Sequence, residues 1–418
     1  MTAGLRILIT NRVLTGRTGT ELYTRDLALA LLARGHRPVV YSPSLGPLAE
    51  ELRHATVPVV DDPLKLGEVP DIIHGHHTHE TVTALAAFPS APAIFLVHDW
   101  SAPHDAPPLH PRIRRFQAVD ETCLDRLIAE GGLDPGRCEV ILNAVDLARF
   151  RPRAPLPARP SRALVFSNYA REDGTLPAIR AACEAEGLAL DVAGAGVGRV
   201  SDAPEELLGR YDLVFAKARA ALEAVATGCA VVLCDAHGFG GLVTAADAPR
   251  LRRLNFGRRA LAAPTTAEGL QRAIQSYDAE DAAAVSAWVR AEAGLDRAVD
   301  AQLAIYGAAI AEHRGTQVDV AAESRFLATY LRDHDPLEPR AAAFRSETVA
   351  RARSEQIRPL RRRADIAFVV GLSIALGAAA TAALLAPEGP WALVAGLAVW
   401  ALILQLSLKR LRQLWRSN

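Results

Sequence analysis

The chain has few cysteines, and their spacing suits neither pairing nor metal binding. Cys123, Cys138, Cys183, Cys229 and Cys234 form no C-x-x-C pair and no zinc-like pattern, which excludes a disulfide scaffold and fits a reducing cytosol. An excess of one charge is also missing, since Lys+Arg and Asp+Glu are both 47 over 418 residues. That zero is a cancellation: residues 351–418 hold 10 basic and 3 acidic side chains, leaving 37 and 44 for residues 1–350. An acidic body offers no general nucleic-acid footprint. The opening MTAGLRILITN lacks the long apolar run and cleavage site of a signal peptide and reads as a strand. With 50% hydrophobic and 22% charged residues, disorder is excluded as the main state.

Long apolar runs are present only near the C-terminus. Residues 366–386 carry no charge, about 31 Å as a helix, and residues 391–408 follow after the turn PEGP. Arg361, Arg362 and Arg363 precede the pair, and Lys409, Arg410, Arg412 and Arg416 follow it. The expectation is a transmembrane hairpin over 365–410 that contacts membrane lipid through 366–408 and keeps both ends, and the catalytic domains, in the cytoplasm. Neither crossing holds an acid or base, so it reads as an anchor.

Ahead of it, short strands rich in Val, Ile and Leu alternate with helical stretches: 5–11, 37–42, 56–60, 71–75, 93–98, 116–119 and 139–143. This is the pattern of a parallel sheet covered on both faces. RPRAPLPARPSR, residues 151–162, has four prolines and four arginines and marks a boundary. A second alternating block follows, with strands at 163–168, 188–194, 211–216 and 229–235 and helices at 175–186 and 220–227. The expected fold class is α/β, with a Rossmann-like domain over 1–150, a linker over 151–162, a second Rossmann-like domain over 163–312 and a charged helical stalk over 313–364. Two such halves leave a central cleft between the carboxyl ends of their sheets.

Three segments carry a family resemblance. TGRTGTELYTRDLALALLARGHRPVVYSP places a Gly-containing turn before a helix that ends in GH. CEVILNAVDLARFRP, 138–152, resembles an "NGVD…F.P" stretch, and ALEAVATGCAVVLCDAHGFGGLVT, 221–244, resembles "LEAMA.G.PVV….GG..E.V". Together they resemble a glycosyltransferase of the two-domain GT-B type, nearest to family 4, over residues 5 to about 310.

The third segment has its own physics. A helix start and a glycine loop with Gly238, Gly240 and Gly241 suit a diphosphate, and Glu223 sits one turn into the helix, where its carboxylate can accept from a ribose diol. The resemblance implies that ribose role for Glu223, and Gly19 in the first turn belongs to the same donor site. The family's earlier donor-holding glutamate is replaced by Phe215, and the loop after it is cut to KAR. Lys217 and Arg219 are the cations expected to neutralise the departing diphosphate instead, with Arg171 in the neighbourhood of a missing donor-side lysine. His98 and Asp99 match the family's HD after a central strand, where the side chain faces the transferred sugar. Histidines at 74, 76, 77 and 79 carry no metal-binding pattern.

The resemblance thus implies transfer of a sugar from a nucleotide diphosphate sugar to a lipid-linked, polysaccharide or other acceptor at the cytoplasmic membrane face. It implies retention of configuration, with neither metal nor further cofactor. Two alternatives stay open: a catalytically inactive GT-B scaffold, and an inverting transferase or nucleotide-sugar epimerase. Donor base, sugar and oligomeric state are not legible.

Overall fold

The protein is described from a computed structural model, which covers residues 4–334 and position 405. The first sheet is built from β1 (Arg6–Thr10), β2 (Arg37–Tyr41), β3 (Val59–Val60), β4 (Ile72–His76), β5 (Ala93–Val97), β6 (Ile113–Ala118) and β7 (Cys138–Val140). Helices α1 (Gly19–Ala33), α2 (Pro47–His54), α3 (Thr78–Ala87) and α4 (Glu121–Ala129) connect them. All its pairings are parallel, in the order β3-β2-β1-β4-β5-β6-β7. β4 and β5 are buried at every position, as central strands covered on both faces must be.

The second sheet contains β8 (Arg162–Phe166), β9 (Ala189–Ala193), β10 (Leu213–Ala216), β11 (Ala230–Asp235) and β12 (Gly238–Leu242), in the order β12-β11-β10-β8-β9. Only β12 runs antiparallel. Helices α5 (Leu176–Ala185), α6 (Pro204–Leu208), α7 (Ala218–Thr227), α8 (Ala248–Arg253), α9 (Ala267–Gln275) and α10 (Ala279–Glu292) belong to this half. Most of the proline-rich segment 151–162 has no regular structure, and β8 begins at its last residue.

Helix α11 (Leu295–Arg314), which sequence reasoning puts at the end of the second domain, returns to the first. Val299, Ile305, Tyr306, Ala309 and Ile310 pack there with Ile7, Ile9, Ile72 and Ile94. The last described helix, α12 (Val320–Asp333), falls where the stalk is expected, and its Glu323 accepts from Arg112 Nε at 3.0 Å. Both sheets and the cleft between them lie in one compact unit that ends at Phe326.

The hairpin expected over 365–410 lies outside the described residues, and among the described ones no helix is long and apolar enough to cross a membrane. The expected architecture is corrected to its two Rossmann-like halves. The anchor, the lipid contact through 366–408 and the membrane location that rested on them have no support in any described helix and are withdrawn.

Candidate active site

In both sheets neighbouring strands connect outward in opposite directions at one point, between β1 and β4 and between β8 and β10. At such switch points the loops diverge and leave room for a ligand. Both open onto one cleft, lined from the first half by Arg17, Gly19, His77, His98 and Asp105 and from the second by Asn168, Tyr169, Lys217, Arg219 and Glu223.

Two helices begin at this cleft. The turn before α1 is held by Glu21, whose carboxylate accepts from the backbone N–H groups of Gly16 at 2.7 Å and Thr18 at 2.8 Å. That contact sets Thr18 as the cap and brings Gly19 and Thr20 to the cleft wall. A Cβ at Gly19 would meet nothing within 4 Å, so the glycine leaves space there. On the opposite wall α7 starts one residue after β10, with Lys217 as its cap. Ala218 takes a φ of 49°, and its N–H donates to the Phe256 carbonyl at 2.7 Å. Helix N-termini carry partial positive charge, which suits an anion, and at α7 the first N–H, that of Ala218, is already taken by the Phe256 carbonyl.

Lys217 Nζ stands 2.8 Å from Asp235 Oδ2 and 5.0 Å from the centre of the Tyr169 ring. Arg219 is engaged on two sides: its Nε donates to Glu223 Oε1 at 2.8 Å, and its Nη2 donates to Asp26 Oδ2 of α1. Burial lifts the Glu223 carboxyl above its ordinary range against the pull of Arg219. Burial also works to raise Asp26, but Arg219 and Arg25 outweigh it and hold that carboxyl low.

On the first wall His98 follows β5, with its Nε2 2.6 Å from Nδ1 of the buried His76. The His98 and Tyr23 rings meet edge to face, with centroids 5.1 Å apart. Burial, then the neighbouring histidines, hold His98 well below the usual imidazole range. Asp99 lines the cleft, but its Oδ1 accepts from the N–H groups of Ser101 and Ala102 at 2.7 and 2.8 Å, which is a turn-holding role.

Sequence reasoning did not single out Asp105. It is 1% exposed. Its Oδ2 accepts from the N–H groups of His98 at 2.9 Å and Asp99 at 2.7 Å, while Oδ1 has no hydrogen-bond partner. Burial pushes the carboxyl up to about 6. Nothing in PHDAPP marks that residue as buried, because the loop closes over it only in the fold.

The remaining expected donor residues are elsewhere. Gly238, Gly240 and Gly241 form β12 and do not line the cleft. A Cβ on Gly240 would stand 2.4 Å from the Ala260 carbonyl oxygen. Arg171 is exposed, outside the cleft lining, and its carbonyl accepts from Gly174 N–H at 3.1 Å. Among the described residues no group of three or more His, Cys, Asp or Glu is arranged to hold a metal ion.

Residues 17–149 match the model of the family described as Glycosyltransferase Family 4. No curated protein matches the chain in sequence. Among solved structures, a glycosyltransferase from Rickettsia africae ESF-5 aligns with a TM-score of 0.53 at 15% identity, over 73% of this chain and 99% of that one. Anabaena Alr3699/HepE in complex with UDP-glucose aligns with a TM-score of 0.53 at 15% identity, over 72% of this chain and 99% of its own. The same Anabaena protein in complex with UDP gives 0.52 at 14% identity, over 72% and 98%. At such identities the likeness concerns the fold, two Rossmann-like domains about a cleft.

Proposed function

We propose that the chain is a glycosyltransferase that moves a sugar from a nucleoside diphosphate sugar to a hydroxyl of a saccharide acceptor. The observation that carries this is the pair of helix N-termini, α1 and α7, that line one cleft, with Lys217 at the head of α7. The family match over 17–149 and the shared fold support the same coarse reading of a GT-B glycosyltransferase enzyme.

In this reading the α7 N-terminus and Lys217 meet the diphosphate, the free side of Glu223 accepts from the ribose diol, and His98 faces the transferred sugar. The acceptor hydroxyl oxygen bonds to the anomeric carbon on the face from which the diphosphate departs, as the bond from that carbon to the diphosphate breaks, and the hydroxyl proton passes to the departing diphosphate oxygen. The electron pair leaves on the diphosphate, where fixed N–H dipoles and an ammonium stabilise it more than they stabilise the ground state. These charges do the work of a metal, so transfer continues in EDTA, and the anomeric configuration is retained. UDP-sugars are the first donors to try, since the Anabaena relative binds UDP-glucose.

The test is a panel of nucleotide sugars offered to the purified chain with mixed saccharide acceptors. Nucleoside diphosphate release is followed, and product stereochemistry is read by NMR. Sugar transfer is the expected result. No transfer and no binding of any nucleoside diphosphate would overturn the reading.

A further inference from the structure

Arg219 lies between carboxylates from the two halves of the molecule. Its Nε is on Glu223 of its own helix α7, and its Nη2 is on Asp26 of α1. Asp26 is fixed in turn, because Arg25 Nη2 and Nε both donate to its Oδ1, at 2.6 and 2.8 Å. Arg25 Nη1 reaches Glu51 Oε1 at 3.3 Å, and Arg17 Nη2 donates to Glu51 Oε2 at 3.0 Å. The chain of contacts is thus anchored in the first half and ends on the one carboxylate expected to read the nucleotide. A guanidinium that satisfies two carboxylates through separate N–H groups is committed in direction as well as charge. It is not free to turn toward a diphosphate, and one oxygen of Glu223 is left for the cleft.

We infer that Asp26 is a positioning residue for the nucleotide site of the opposite domain: it presses Arg219 against Glu223, so that Glu223 is aimed at the ligand only while the two halves are docked. This rests on the reading of the cleft as a nucleoside diphosphate sugar site. Donor binding and closure of the halves are thereby coupled through one guanidinium. Asp26 and Arg219 are 193 positions apart in the chain, so no local motif announces the pair.

The experiment is calorimetry on the full chain with UDP, GDP and ADP, continued with whichever binds the unmodified protein most tightly. Asp26→Asn, Arg219→Gln and Glu223→Gln should each weaken that nucleotide about tenfold, the scale of one charged hydrogen bond. Asp26→Asn with Arg219→Gln should lose no more than either alone, and Asp26→Glu should recover part of the loss. In turnover, Asp26→Asn should raise donor KM about tenfold with a smaller fall in kcat, a split that a general loss of packing does not produce. Thermal melting checks that each variant is folded, and Arg219→Lys, which keeps the charge but not the fork, carries the same expectation if Asp26→Asn does not fold. Wild-type affinity in folded Asp26→Asn, fully additive losses in the double variant, or no effect of Glu223→Gln would each overturn the inference and leave the donor reading standing. Failure of the unmodified chain to bind any of the three nucleotides would sink the donor reading itself, and the inference with it.

Discussion

The imidazole rings of His76 and His98 lie nearly parallel, 14° apart with centroids 4.7 Å apart, and His76 Nδ1 stands 2.6 Å from His98 Nε2. Only one proton can occupy that contact, so one ring donates and the other accepts, and the tautomers of the two rings are tied to each other. His74 continues the row behind His76, stacked at 4.6 Å, with its Nδ1 2.5 Å from the hydroxyl of Tyr306 on α11. The ring that opens on the cleft is therefore oriented by a column running back into the core of the first domain.

His98→Ala should cut kcat/KM about 10²-fold, as expected where a group aligned on the reacting sugar is lost. His76→Phe keeps the apolar packing but removes the fixing contact. It should lower kcat by about tenfold with little change in nucleotide affinity. Steady-state kinetics paired with calorimetry on both variants separates orientation from binding, and equal kinetics for His76→Phe and wild type would remove the column from the mechanism.

The three histidines of that column, with His77 and His110, make stability depend on acidity. Burial holds His74 and His77 at about 3 and His110 at about 4, and it holds His76 and His98 well below the usual range. In the unfolded chain all five titrate near 6.5. The unfolded state therefore takes up protons that the folded state refuses, and stability is lost as pH falls below about 6.5. Asp105 at about 6, with Glu80, Asp120 and Glu223, opposes this, because burial raises each carboxyl and lets the folded state bind its proton before the unfolded one does. The net slope stays unfavourable. Urea midpoints at pH 7, 6 and 5 should fall steadily, and His74→Asn should flatten the fall.

Much of the fold was legible in the sequence because buried parallel strands must be continuous apolar runs. The expected strands at 37–42, 93–98 and 229–235 end within a residue of β2, β5 and β11. α7 was legible except for its start, which falls at Ala218 because a positive φ tightens the turn. Residues that work at long range were not legible. Asp26 reads as one more polar position on an amphipathic helix, and only the docking of the two halves brings Arg219 to it. GFGGL reads as a phosphate loop because glycines at such spacing permit one, yet the same absence of side chains lets β12 pass close to the backbone of residues 260–263. Burial of Asp105 comes from packing and leaves no signature in the loop that carries it.

Lys217 is the cleft cation with the fewest commitments. Arg219 serves two carboxylates, while Lys217 has one partner, Asp235, and its side chain keeps 22% exposure. If it stabilises developing charge on the departing diphosphate, Lys217→Met should lower kcat about 10²-fold while donor KM moves much less. Arg219→Met should show the reverse pattern, a donor KM effect first. Kinetics of both variants at saturating acceptor distinguish the two cations. Unchanged kcat in Lys217→Met would transfer leaving-group stabilisation to the helix N-termini alone.

The glycines of β12 provide a control that separates architecture from ligand binding. At Gly240 a Cβ would stand 2.4 Å from the Ala260 carbonyl oxygen and 3.0 Å from Leu233 Cβ, so the strand or its neighbour must shift. Overpacking of that kind costs about 1–3 kcal/mol. At Gly241 the neighbourhood is open, but φ is 82°, so an alanine is strained by its backbone alone, at about 1–2 kcal/mol. Gly240→Ala and Gly241→Ala should both lower the urea midpoint, Gly240→Ala by at least as much. If β12 is a sheet edge that never touches the diphosphate, both variants should bind nucleotide within about twofold of wild type at a temperature where they are folded. A tenfold loss of affinity in folded Gly241→Ala, where no steric shift is available to explain it, would return these glycines to the donor site and require β12 to open when the nucleotide binds.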